Sequence, residues 1–390
     1  MNLKSLDISL CNSLFMSGQL LSKPDDVTKL TPTLSHLEQL NIASIRYMSD
    51  VTFSRLVRLC SNLRSLNVAG NKVVFHSGNY CGGKLNSSLL TFSVVLDEIS
   101  RLARTLQELD MSRTPIHDLA LEDLARTPKL QLTSLKLVCC RDVTDTGIIN
   151  LVKRQTSLQK LDLSTNHEIR NGALSAVCER LPGLKELKLN KCVLLTDTAG
   201  TKLSTLHELE SLELSSNYEI TARAFISGIC TPKAPIKHLN LAHCSKILRD
   251  SVIIALSQSA RSTLSYLNLS SGKVTDIGMQ TICKELVNLK TLIMKWNSEI
   301  SDRGLNATQL NVDVDRVLEH ELQGQCKCSR RKMGENILNL PVKREVKKGA
   351  DGDGTKHLGV QGIILPILLC INYPVKVVRC SNNQAPPPPT

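Results

Sequence analysis

Aromatic residues are scarce in this chain: one Trp, five Tyr and five Phe, or 3% of 390 residues. A core built with so few rings has to be aliphatic, and the 42% of apolar residues is ample for one. That skew disfavours a β-sandwich or a nucleotide-binding fold and favours stacked leucines. Met1 leads straight into Asn2-Leu3-Lys4, without the basic and apolar regions of a secretory leader. The expected location is therefore cytoplasmic, where the fourteen cysteines read as reduced thiols. The sequons at Asn86, Asn268 and Asn306 then read as chance matches. No uninterrupted apolar run is long enough for a bilayer. The longest, from Gly359 to Val378, is broken by Pro366, Asn372, Pro374 and Lys376, so no membrane partner is expected.

Chemistry-bearing motifs are also lacking. There is no H-E-x-x-H, no G-x-S-x-G and no Walker loop. The run from Gly349 to Lys356 lacks the Gly-Lys-Ser/Thr order of a phosphate loop, and Asp351 and Asp353 have no Glu at the twelfth calcium-loop position. Cys326, Cys328, Cys370 and Cys380 match no common zinc spacing. The expectation is a chain that is not an enzyme and has no cofactor and no metal. The net charge is +12, but residues 325–348 hold eight Lys/Arg against two Glu, which is half of it. The remainder is spread thinly, so a general nucleic-acid-binding surface is not implied.

What the chain does have is a repeat, L-x-x-L-x-L-x-x-(C/N), in eleven copies. The first three begin at Leu3, Leu37 and Leu63. The other eight begin at Leu106, Leu132, Leu158, Leu184, Leu209, Ile236, Leu264 and Leu289, spaced 26, 26, 26, 25, 27, 28 and 25 residues apart. Each alternating L-x-L is a short strand with one buried face. The ninth position turns the chain. An Asn there can bond the turn backbone, and a Cys can pack there as a small apolar residue with a weak donor. Segments such as Thr144-Asp145 and Thr275-Asp276, followed by helically spaced apolar residues, carry an N-cap signature. The fold class is α/β: a leucine-rich-repeat horseshoe with a concave parallel sheet and convex helices over residues 1–305. Two gaps of 34 and 43 residues, from Leu3 to Leu37 and from Leu63 to Leu106, break the period. The second holds an inserted loop near 72–90, with loop composition at Ser77–Gly83. It reads either as a surface insertion or as a specificity loop beside the concave face. Residues 306–390 show no strand motif and end in Pro386–Pro389, a basic, low-order tail.

These repeats resemble the cysteine-containing subtype of the F-box and leucine-rich-repeat protein family. The resemblance rests on Cys11, Cys140, Cys192 and Cys244 at strand ends and on Cys60, Cys178, Cys230 and Cys283 late in helices. It rests also on I-T-D-x-G-like segments at Val143–Gly147, Thr196–Gly200, Val274–Gly278 and Ile300–Gly304. It implies the substrate-binding part of an SCF-type, cullin–RING ubiquitin-ligase receptor, with transfer chemistry left to other subunits. An F-box would dock on a Skp-type adaptor, and hence on a cullin. None is found before the first strand, so adaptor binding is expected only where a longer form supplies it. The alternative is a scaffold or inhibitor that binds a protein partner with no ubiquitin link.

The partner is expected on the concave face. The residue after the central leucine of each strand gives a mixed polar ladder that includes Asp162, Lys188, Glu213, Asn240 and Asn268, which suits a protein surface. Lys188, Glu213, His238 and Tyr266 form the preferred patch, since Tyr is a favoured anchor. Trp296 either plugs the open end of the solenoid or serves as a second anchor. In the tail, Arg330-Arg331-Lys332 and Lys343, Arg344, Lys347 and Lys348 fit a bipartite nuclear-import signal, or else a solvated basic linker.

Overall fold

The computed structural model describes residues 3–75, 88–230 and 235–301 and the strand Val317–Leu318. The Ser77–Gly83 loop and the basic and cysteine motifs of the tail lie outside them. Each of the eleven motif copies forms a three-residue strand. The first three are β1 (Ser5–Asp7), β2 (Gln39–Asn41) and β3 (Ser65–Asn67). Two short strands from the long gap follow, β4 (Val73–Val74) and β5 (Leu90–Thr91). Then come β6 (Glu108–Asp110), β7 (Ser134–Lys136), β8 (Lys160–Asp162) and β9 (Glu186–Lys188). The series ends with β10 (Ser211–Glu213), β11 (His238–Asn240), β12 (Tyr266–Asn268), β13 (Thr291–Ile293) and β14 (Val317–Leu318). All but β4 and β5 join one twelve-stranded parallel sheet in chain order.

The register places the central leucines opposite one another, Leu135 with Leu161, Leu161 with Leu187, and Leu187 with Leu212. Each is at most 1% exposed, so the column is the floor of the core. Truncating one such leucine costs about 2–5 kcal/mol. Beyond each of the eleven motif strands one residue takes a left-handed backbone, among them Arg113, Cys139, Thr165, Lys191, His243 and Trp296. Its N–H still pairs with the next repeat, as from Lys191 to the Ser215 carbonyl at 2.8 Å. The chain thereby leaves the sheet without losing its hydrogen bonds.

On the convex side lie helices such as Asp118–Arg126, Asp145–Val152, Asp250–Ser259 and Asp276–Glu285. Thr144 and Thr275 cap their own helices by accepting from Thr146 N–H and Ile277 N–H, both at 3.2 Å. The Asp at the first position of a helix reaches the Thr of the T-D-x-G motif in the next repeat. Asp118 accepts from Thr144 N–H at 2.9 Å and from its hydroxyl at 2.6 Å, and Asp250 does the same for Thr275. The motif glycine follows from that bond, because a Cβ on Gly147 would run into the Asp118 side chain. The motif is thus a clasp between successive repeats.

The first gap holds an extra short helix, Asn12–Phe15, ahead of the repeat's own helix, Pro24–Leu34, which is started by Pro24 and by Asp25 and Asp26 in its first turn. The second is closed by a parallel pair, Val73 with Leu90 and Val74 with Thr91. Phe75 stacks on Phe92 at 4.8 Å beside it. One expectation needs correction. The stretch 306–390 shows no strand motif, yet β14 lies in it and pairs Val317 with Thr291 and Leu318 with Leu292. Leu318 falls 26 residues after Leu292, one period on, but Asp315 and His320 stand where apolar residues flank the central leucine in other copies. The strand therefore has no readable motif.

Candidate protein-binding face

Strand residues on either side of each central leucine point away from the core and make the concave face. The structure brings the preferred patch together. Lys188 Nζ lies 2.8 Å from Glu213 Oε1 on the next strand and 3.3 Å from Glu186 Oε1 on its own. Asn190 Nδ2 donates to the other Glu213 oxygen at 2.7 Å. His238 Nε2 is 4.0 Å from Glu213, and the His238 ring stacks on Tyr266 at 4.0 Å with planes 9° apart. Glu186 and Asn190 are missing from the sequence-based patch. Glu186 sits before the central leucine, in the same register column as His238 and Tyr266, so the signal that placed those two in the patch pointed to it as well.

The charges are ordered by the register, which sets Lys136 opposite Asp162, Asp162 opposite Lys188, and Lys188 opposite Glu213. Burial alone would raise the Glu213 carboxyl, but hydrogen bonds from Lys188 and Asn190 hold it below its usual value. Burial alone would lower Lys188, but Glu213 and Glu186 raise it. Both stay charged at neutral pH. Burial raises Asp162 and lowers His238, so the imidazole on the aromatic stack is neutral at pH 7.

Three of the expected site residues have a second task. Asp162, Asn240 and Asn268 accept the N–H two residues on, from Ser164, Ala242 and Ser270, at 3.0–3.1 Å. Asp7, Asn41, Asn67 and Asp110 do likewise. The polar ladder is thus partly a row of Asx turns that ends each strand. Its oxygens are committed, while the Nδ2 groups of Asn240 and Asn268 have no hydrogen-bond partner among the described residues. Trp296 is not an end plug. It is 58% exposed at the turn after β13, with its ring 6.0 Å from that of His243. The left-handed backbone at position 296 lifts the side chain off the sheet.

Among the described residues no group of three His, Cys, Asp or Glu could hold a metal ion, and no helix is long and apolar enough to cross a membrane.

A parallel sheet with one helical flank, repeated every 25–28 residues over most of the chain, defines a leucine-rich-repeat solenoid. A family model described as Leucine Rich repeat matches residues 103–125 and 261–283. The chain is 26% identical over 256 residues to a mouse protein, Ribonuclease inhibitor, a match covering 59% of this chain and 54% of that protein. It is 27% identical over 268 residues to DNA repair protein RAD7 of Saccharomyces cerevisiae, covering 66% of this chain and 43% of that one. The chain therefore spans about half, or less, of the curated relatives it matches. Among solved structures, that of yeast Rad7 in complex with Elc1 superposes with a TM-score of 0.52 at 17% identity, covering 76% of this chain and 77% of the other. These relatives are leucine-rich-repeat proteins, and the likeness to Rad7 is one of fold.

Proposed function

We propose that the chain is a non-enzymatic recognition module that holds a protein partner on the concave face of β9–β12 and presents it as substrate to a cullin–RING ubiquitin ligase. The observation that carries the binding half is the His238–Tyr266 stack, standing on a lattice of paired charges. A ring pair beside neutralised charges gives a partner a flat apolar anchor and oriented polar groups, the usual make-up of a binding hot spot. Support for the ligase half comes from the resemblance of the Cys/Asn turns and T-D-x-G clasps to F-box leucine-rich-repeat receptors. The Rad7–Elc1 complex shows a protein of this fold engaged with a second protein.

Affinity capture from cells with the full chain, beside a Tyr266→Ala chain, is the direct test. Proteins held at least tenfold less by the variant, about 1.4 kcal/mol of binding, are concave-face partners. Co-capture of a Skp-type adaptor or Elc1 with a cullin supports the ligase reading. A capture set that the variant leaves unchanged sinks the binding-face reading. A second reading, an inhibitor or scaffold with no ubiquitin link, is favoured by the similarity to Ribonuclease inhibitor. It is the result if Tyr266-dependent partners come down without adaptor or cullin and their cellular half-lives are unaltered.

The basic pairs Arg330-Arg331-Lys332 and Lys343-Arg344 with Lys347-Lys348 are proposed to import the chain into the nucleus. Substituting all seven by Ala in a fluorescent fusion is expected to leave it cytoplasmic.

A further inference from the structure

The convex side of the solenoid changes character over its last two helices among the described residues. Down the outer face of the helix Asp250–Ser259 come Ile254, Gln258 and, two residues past its end, Arg261. Down that of the helix Asp276–Glu285 come Ile277, Gln280 and Lys284. The spacings are i, i+4, i+7 and i, i+3, i+7, so each helix sets an isoleucine, an amide and a cation along one stripe. All six side chains line one open groove of about 650 Å3, the size of a usual ligand site. Single apolar residues scattered over a surface are ordinary, but Ile254 and Ile277, 43% and 63% exposed, share this groove and make a small apolar patch. At the position of Ile254, four residues after the first Asp, the helix Asp118–Arg126 has Glu122.

The far end of the groove is cationic. Arg261 and Lys284 share Glu285 at 3.5 and 4.0 Å, and the Lys284 side chain is 83% exposed. The other carboxylates of the two helices are engaged, Asp250 with Thr275 and Asp276 with Ser301. Two cations against one carboxylate leave the groove positive. A ligand to match it has an apolar anchor and, seven residues or about 10 Å along, a carboxylate. The lining is side chain only, since the backbones of both helices bond internally. An added strand would find no backbone partners there, whereas a helix satisfies its own. We propose that this groove takes an amphipathic helix of a partner protein, with an apolar pair seated on Ile254 and Ile277 and an Asp or Glu two turns away meeting Arg261 and Lys284. Such a partner leaves the concave face open for another, so the site goes beyond the function proposed above and does not depend on it.

Random peptides of about 16 residues, enough for four turns of helix, are displayed on phage and selected on the immobilised full chain, with an Ile277→Asp chain as the subtracting surface. Ile277 is exposed, so the variant is expected to keep the native circular dichroism. Selected sequences are expected to carry two apolar residues three or four apart and an acid about seven residues from them. Their synthetic consensus, followed by fluorescence anisotropy, is expected to bind Ile277→Asp and Lys284→Glu chains at least about tenfold more weakly than the native chain. Selection on the Lys284→Glu chain is expected to keep the apolar pair and exchange the acid for Lys or Arg. No enrichment over Ile277→Asp overturns the proposal, and so do selected peptides without the acid. A dimer in sedimentation that Ile277→Asp dissolves would make a second copy the occupant and overturn it as well. Tyr266→Ala is expected to bind the peptide as the native chain does; loss of binding there would assign the peptide to the concave face instead.

Discussion

A chain that leaves a buried sheet by a sharp turn strands amide groups where water cannot reach them, and the ninth repeat position deals with that. Asn166, wholly buried, accepts from Cys140 N–H at 2.7 Å and donates to the Leu137 and Leu163 carbonyls at 2.7 and 2.9 Å. Asn71 serves Ile45 and Ile42 in the same way. Where the position is Cys, the thiol donates to the equivalent carbonyl of the preceding repeat: Cys192 to Leu163 at 3.2 Å and Cys244 to Leu214 at 3.0 Å. Cys thus replaces one of the three Asn bonds. Asn166→Ala strands the Cys140 N–H and the Leu137 carbonyl, at about 1–3 kcal/mol each, while the Leu163 carbonyl keeps the Cys192 thiol, so a loss of about 2 kcal/mol or more is expected. Asn166→Cys restores one bond and should lose visibly less. Urea midpoints of the two variants check the order, and equal losses would mean that the thiol bond contributes nothing. This spine was legible because a buried Asn among leucines has few other uses. The Asx turns of Asp162, Asn240 and Asn268 were not, because the same residue types also suit a solvent-facing binding ladder. Asn217 departs from the pattern: its buried Oδ1 has no hydrogen-bond partner among the described residues, and the structure offers no reason.

Between elements, the long second gap is held by a charge cluster that no periodicity announces. Glu98, on the helix Phe92–Arg101, is 3% exposed and faces the helix Asp50–Arg58. It accepts from Arg58 Nε at 2.8 Å, from Arg101 Nε at 2.9 Å, and from the Ser54 hydroxyl. Pattern reading assigns a Glu to solvent, so the gap was visible in the spacing while its closure by Glu98 and the β4–β5 pair was not. Burial pushes the Glu98 carboxyl up, and the hydrogen bonds from Ser54, Arg101 and Arg58 outweigh it and hold it below the usual carboxylate value. A carboxyl depressed in the folded state contributes stability that is complete above its unfolded pKa, about 4.3. That stability is lost as pH falls through the lower folded value. Glu98→Gln is therefore expected to cost about 3 kcal/mol at pH 7 and progressively less below pH 4. Urea midpoints of both chains from pH 7 to pH 3 are the measurement. A constant gap between them across that range would show that the charge on Glu98 is not what stabilises the helix pair.

At the scale of the whole molecule, the solenoid was the most legible feature and its last strand the least. Eleven leucine triplets announce eleven strands, whereas the twelfth keeps Leu318 and loses its flanking apolar residues to Asp315 and His320. An array of this kind has no central core: each repeat packs on its neighbours, and stability is a sum of local terms. Clasps such as Asp118–Thr144 and Asp250–Thr275 strengthen those terms but connect only adjacent repeats. Opening should therefore begin at the ends and travel inward. The cysteines are placed to report it. Burial pushes the thiols of Cys60, Cys140, Cys178 and Cys192 up to about 12, and that of Cys244 up to about 11. At pH 8 a thiol at about 12 holds roughly a thousandfold less thiolate than one at the unperturbed value of about 8.5, so alkylation waits on local unfolding. Pulse alkylation across a urea series, read by peptide mass spectrometry, is expected to label Cys60 and Cys244 at lower urea than Cys178 and Cys192. Coincident midpoints at all of these cysteines would instead make the solenoid one cooperative unit, with coupling that reaches well beyond adjacent clasps.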